Sequence, residues 1–130
     1  MVWFWDDQRN CIQVSGAAPA LSATNGIYRP HSEVSSSGEK SWINEDTEDG
    51  NYYVFWDNRD GEGQYQIDSD LDGQLRWAYF TSNDKSLPVT SGEFWYSNSW
   101  NTESNSRIEM ITCPNLSNKK TSYYQIAYCI

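Results

Sequence analysis

Apolar and polar positions alternate along this chain in short runs, and no window sustains a 3.6-residue period, so the pattern predicts strands and no helix. Aromatic or β-branched runs fall at residues 2–5, 11–14, 27–28, 40–44, 51–57, 64–67, 76–81, 93–97, 107–112 and 123–129, bounded by Gly, Asn, Asp and Ser. Asn25-Gly26 reads as a turn, residues 35–38 as a serine-rich loop, and the Pro/Ala/Ser stretch that ends at Ala23 as a link. Strands joined by short polar turns are antiparallel neighbours. The expected fold is all-β, an antiparallel meander forming a sandwich or barrel, with residues 1–130 as one domain.

In a meander, alternate turns emerge at the same end of the sheet. By that parity, turns 45–50, 68–73 and 98–106 share one end, and turns 58–63 and 82–92 the other. The first end would gather Glu48, Asp49, Asp68, Asp70 and Asp72 together with Trp100, Asn101 and Glu103.

Composition narrows the class. The 130 residues include seven Trp and nine Tyr but four Phe, so many rings carry a polar handle. Nine basic residues face eighteen acidic ones, for a net charge of −9. Such a surface repels phosphate backbones and argues against nucleic-acid and anionic-membrane partners. No apolar run approaches the roughly 18 residues that span a bilayer, so membrane insertion is not expected. Nothing at the start resembles a signal peptide, which leaves an intracellular protein or the mature form of a secreted one.

The acids crowd between residues 39 and 72, and Asp68-Ser69-Asp70-Leu71-Asp72-Gly73 concentrates them further. Carboxylates at every second position followed by glycine suit a loop that wraps a hard cation, because Ca²⁺ takes oxygen ligands and glycine lets the chain turn back. The stretch matches the first half of an EF-hand loop, but the position for the closing acid holds Tyr79. Further ligands would have to come from elsewhere, and Glu48 and Asp49 are the candidates beside Asp68, Asp70 and Asp72. The plainer reading is a solvated hairpin turn, for which Asp, Ser and Gly are favoured in any case.

Catalytic chemistry has little to work with. His31 is the one histidine, in a polar loop, with no nucleophile motif beside it. Cys/His spacing for zinc, a P-loop and a dinucleotide fingerprint are all missing. A sugar site asks for less: apolar faces stack on Trp or Tyr, hydroxyls meet planar polar groups, and Ca²⁺ can accept a pair of hydroxyls. Trp100, Asn101 and Glu103 are the candidate carbohydrate-binding residues. Trp42, Trp56, Trp77 and Trp95 lie inside strand runs and read as core.

Three cysteines imply, in a secreted chain, one intrachain bridge and one remaining thiol. Cys11 with Cys113 joins the ends of the main body and leaves Cys129 for a second subunit; three reduced thiols are the alternative. Asn115-Leu116-Ser117 matches a glycosylation sequon.

The order Val14-Ser15-Gly16, Asn25-Gly26-Ile27-Tyr28, Tyr52-Tyr53-Val54-Phe55-Trp56, Gln64-Tyr65-Gln66-Ile67, Tyr79, Leu87-Pro88 and Phe94-Trp95 resembles a small β-rich module of marine invertebrate and protist proteins. The whole, over about residues 11–113, is similar to the galactose-specific lectins of sea anemones. That resemblance implies a secreted, calcium-dependent, homodimeric lectin that binds galactose-containing glycans through their hydroxyls, without catalysis. The competing expectations are a calcium-stabilised interaction or structural module and, third, a small carbohydrate-active enzyme.

Overall fold

The computed structural model describes residues 10–44, 50–59, 62–72 and 76–114. They form eight antiparallel strands: β1 (Asn10–Ser15), β2 (Gly26–His31), β3 (Ser41–Asn44), β4 (Tyr52–Arg59), β5 (Glu62–Asp68), β6 (Arg76–Thr81), β7 (Val89–Tyr96) and β8 (Ser99–Thr112). Each pairs with the next, and β8 returns to pair with β1 over six positions, so the meander closes into a barrel. Between the two expected architectures, the barrel is the one adopted. The strand runs expected at 2–5 and 123–129 lie outside the described residues.

Alternation along each strand sends one set of side chains inward. Ile12, Val14, Tyr28, Trp42, Tyr52, Val54, Tyr65, Ile67, Ala78, Phe80, Phe94 and Ile108 form the core. Eight strands leave an interior just wide enough for side chains to fill. Gly92 shows how tight the fit is, since a Cβ there would come within 2.6 Å of the Phe80 ring.

Both ends of the barrel are built over. After β1, a 3-10 segment (Pro19–Thr24) made of two turns kinked at Leu21 packs Leu21 and Ala23 on the core, and the Tyr28 hydroxyl donates to Thr24 O at 2.6 Å. This short helical piece sits where the sequence suggested only a link. At the far end, the Trp56 indole donates to Ser82 O at 2.8 Å, the Tyr65 hydroxyl donates to Lys85 O at 2.6 Å, and Lys85 Nζ lies over the Trp56 ring.

Strand β8 corrects one expectation. Residues 98–106 were expected to be a loop, but Ser99–Thr112 is continuous strand, and the β7–β8 connection is only Ser97-Asn98. Both turn residues have positive φ, 54° and 60°, as a two-residue hairpin turn of this hand requires. The polar run Asn101 to Ser106 concealed the strand because it has almost no apolar alternation.

Strands β2 and β3 are joined by residues 32–40, which begin and end at the Trp56 end of the barrel, where Glu39 pairs with Lys85 Nζ at 2.8 Å. Yet Ser36 N donates to Leu71 O at 2.9 Å and Ser36 Oγ donates to Asp72 O at 3.0 Å, beyond the opposite end of β5. The segment therefore runs as a strap along the outside of β4 and β5. On these two strands the outward positions Phe55, Gln64, Gln66 and Asp68 are buried, although on a barrel exterior they would normally face water.

Candidate metal centre and adjoining groove

Strand β5 presents Gln64, Gln66 and Asp68 on its outer face, two residues apart, and all three are buried. At the end of β5 the register slips. Ile67 faces Ala78 while Asp68 faces Arg76, so Trp77 is the extra residue of a bulge that swings Arg76 onto the outer face. Asp68 itself is 0% exposed.

An ionised carboxylate in that position needs partners, and only one of its oxygens has one. Asp68 Oδ1 accepts from Ser69 N at 2.7 Å, while Oδ2 is buried with no partner. Asp70 Oδ1 accepts from Asp72 N at 3.1 Å, an Asx-type turn that folds the loop back toward β5. As a result Asp68, Asp70 and Asp72 each bring an oxygen within 4.8 Å of the others. Three such oxygens fit around one centre at Ca–O distances of about 2.3–2.6 Å.

The electrostatics record the crowding. Burial, followed by the charge of Asp70, pushes the Asp68 carboxyl up from 3.8 to about 6. Asp70 is raised chiefly by a side-chain hydrogen bond shared with Asp72. A hard cation held by these oxygens would oppose both shifts, because a neighbouring positive charge favours the ionised carboxylates.

Beside the cluster lies a groove of about 450 Å³ between the strap and the acidic loop. Glu33, Val34 and Ser36 form one wall, residues 69–72 the other, and Tyr53 the floor. His31 backs the Tyr53 ring at 5.5 Å between centroids, and its Nε2 lies 3.2 Å from Glu33 Oε2. Val34 is 58% exposed, an apolar side chain at the rim of an otherwise polar cleft. None of Glu33, Val34, Ser36 or Tyr53 stands out in the sequence. The one available signal was the placement of the serine-rich loop between two short strands, which gives it length to spare.

The remaining expected site residues separate. Glu48 and Asp49 lie outside the described residues. Trp100 is on the outer face of β8, its ring in edge contact with Tyr79 at 4.9 Å and Trp95 at 5.4 Å, with the Arg76 guanidinium 5.2 Å above it. Asn101 and Glu103 alternate to the opposite face, paired with core-facing Phe94 and with Gly92. Asn101 Nδ2 donates to Tyr96 O and Ser99 O, both at 3.0 Å, and Glu103 Oε2 accepts from the Tyr96 hydroxyl at 2.6 Å. The structure thus joins Asp68, Asp70 and Asp72 but does not join Trp100 to Asn101 and Glu103. Trp95, assigned to the core from its strand run, is on the outer face and 38% exposed.

Cys11 and Cys113 form a disulfide, with Cα atoms 4.9 Å apart, that ties β1 to the end of β8. Cys129 lies outside the described residues. Among the described residues, no helix is long and apolar enough to cross a membrane. Comparisons with family models, with curated proteins and with solved structures return no match to this chain.

Proposed function

We propose that this barrel is a secreted, calcium-dependent lectin that binds galactose-containing glycans in the groove beside Asp70 and Asp72, without catalysis. The observation that carries the proposal is Asp68. A buried carboxylate with an orphan oxygen, converging with two further carboxylates, is a costly arrangement unless a cation completes it. Calcium suits an all-oxygen site of this kind, and its six to eight positions exceed what three carboxylates fill. Open positions facing the groove are where a pair of sugar hydroxyls would bind. Tyr53 on the groove floor supplies a ring for the sugar's apolar face. The preference for galactose rests on the resemblance of the sequence to sea-anemone lectins, and the disulfide is consistent with an oxidising compartment. A homodimer, with Cys129 available for an intersubunit bridge, would add avidity on multivalent glycans.

Calorimetric titration with Ca²⁺, followed by lactose with and without EDTA, tests the reading. Saturable Ca²⁺ binding and lactose binding that EDTA abolishes are expected; lactose binding unchanged by chelation refutes the calcium role. A second reading is favoured by the strap, whose hydrogen bonds to Leu71 and Asp72 would make the cation a clasp for an interaction module. Calcium-dependent thermal stability together with silence on a glycan array would select it.

A further inference from the structure

We infer that Gln66 is a fourth protein ligand of the cation, through its side-chain carbonyl, so that the ion sits inboard beneath the strap and not at the tip of the acidic loop. The inference rests on the cation-binding reading above and adds to it a ligand of a different residue type from a different part of the chain. Gln66 and Asp68 occupy neighbouring outward positions of β5, both 0% exposed. Among the described residues, the buried side-chain polar atoms without a partner are Gln66 Nε2 and Asp68 Oδ2. Two orphans side by side on one strand face point to one missing group.

A carboxamide can present either its oxygen or its nitrogen in the same place by a half-turn about its last torsion. As placed, Gln64 Nε2 donates to Gln66 Oε1 at 2.9 Å. Turning both amides reverses that bond, with Gln66 Nε2 donating to Gln64 Oε1, and leaves the pair intact. The Gln66 carbonyl oxygen then takes the place of the orphan nitrogen, on the same strand face as Asp68 Oδ2. Both orphans become acceptors, one charged and one neutral, and a hard cation satisfies both at once. Calcium takes amide carbonyls alongside carboxylates. With Gln66, Asp68, Asp70 and Asp72 as ligands, positions remain for water or for groups of a ligand in the groove. The rival explanation is a single buried water that accepts from Gln66 Nε2 and donates to Asp68 Oδ2, with no role for Gln66 in ion binding.

Two measurements separate these. Gln66→Met keeps the length of the side chain and removes its oxygen; Ca²⁺ affinity by calorimetry should fall about tenfold or more, as for loss of a supporting ligand. In the unaltered protein, the Gln66 side-chain carbonyl ¹³C resonance should shift on Ca²⁺ titration and saturate with the calorimetric isotherm. This second readout stands even where the Met variant does not fold. Asp68→Asn distinguishes the levels of the argument. If Asp68→Asn loses Ca²⁺ binding while Gln66→Met retains full affinity and the Gln66 resonance stays fixed, Gln66 is no ligand, the bridging water is favoured, and the cation site stands. If the unaltered protein binds no Ca²⁺ at all, both readings fall.

Discussion

Asp68 carries a liability whose sign can be worked out. Burial pushes its carboxyl up to about 6 in the folded chain from an ordinary value of 3.8, so between those values the folded chain holds more protons than the unfolded one. Stability without a cation should therefore fall as pH rises from about 4 to 6, and the ionised group costs on the order of 3 kcal/mol at neutral pH. Thermal denaturation in EDTA should give a lower midpoint at pH 7 than at pH 5. Asp68→Asn should erase that difference and leave the protein at least as stable as the parent in EDTA at pH 7. Added Ca²⁺ should restore the parent at pH 7, by about 2.7 kcal/mol at a hundredfold excess over Kd. The same addition should do little near pH 4, where protons hold the site. A parent protein whose EDTA midpoint rises steadily from pH 4 to 7 would contradict this account of Asp68.

At the scale of the element, the strap makes the groove conditional. Its hydrogen bonds to Leu71 and Asp72 reach carbonyls of the loop whose carboxylates repel one another without a cation. Hydrogen exchange at residues 35–39 should slow on Ca²⁺ addition. Ser36→Ala, which removes one of the two bonds, should shrink that protection while leaving Ca²⁺ affinity within a few-fold. Equal protection with and without Ca²⁺ would show that the strap is held by its own contacts alone. The strap also divides what is local in the sequence from what is not. Asp68, Asp70 and Asp72 were visible because their spacing is local, and the meander was visible because its turns are short. Glu33 was not, since it meets the acidic loop only through a connection that leaves the end to which strand parity assigns it. Tyr53 stands opposite Asp68 in the β4–β5 ladder, a register that the short turn between those strands does not announce. The assignment of Trp100, Asn101 and Glu103 to one site treated residues 98–106 as a loop. Once they are strand, alternation places Trp100 on one face and the other two on the opposite face.

For the whole molecule, the decisive pairing is that of β1 with β8. It joins the two ends of the meander, and Cys11–Cys113 pins it with a sequence separation of 102 residues. Loop-closure entropy for a span of that length is worth about 4.7 kcal/mol. Paired Cys11→Ala and Cys113→Ala substitution should lower unfolding stability by several kcal/mol in denaturant titrations, with Ca²⁺ binding preserved wherever the variant remains folded. Loss of Ca²⁺ affinity in a fully folded variant would mean that barrel closure shapes the site directly.

The seams of the ring are not of equal strength. Strands β1 and β8 share six register positions and a covalent pin, while β6 and β7 meet at only two, Ala78 with Phe94 and Tyr79 with Glu93. A closed ring breathes at its thinnest join, so transient opening should begin between β6 and β7 and leave the two ends of the meander together. That join lies beneath the outer cluster of Tyr79, Trp95 and Trp100 with Arg76 laid over it. Those rings then act as an external brace for a short ladder. Trp95→Ala should speed amide exchange along residues 78–80 and 93–95 well before it changes exchange in β1.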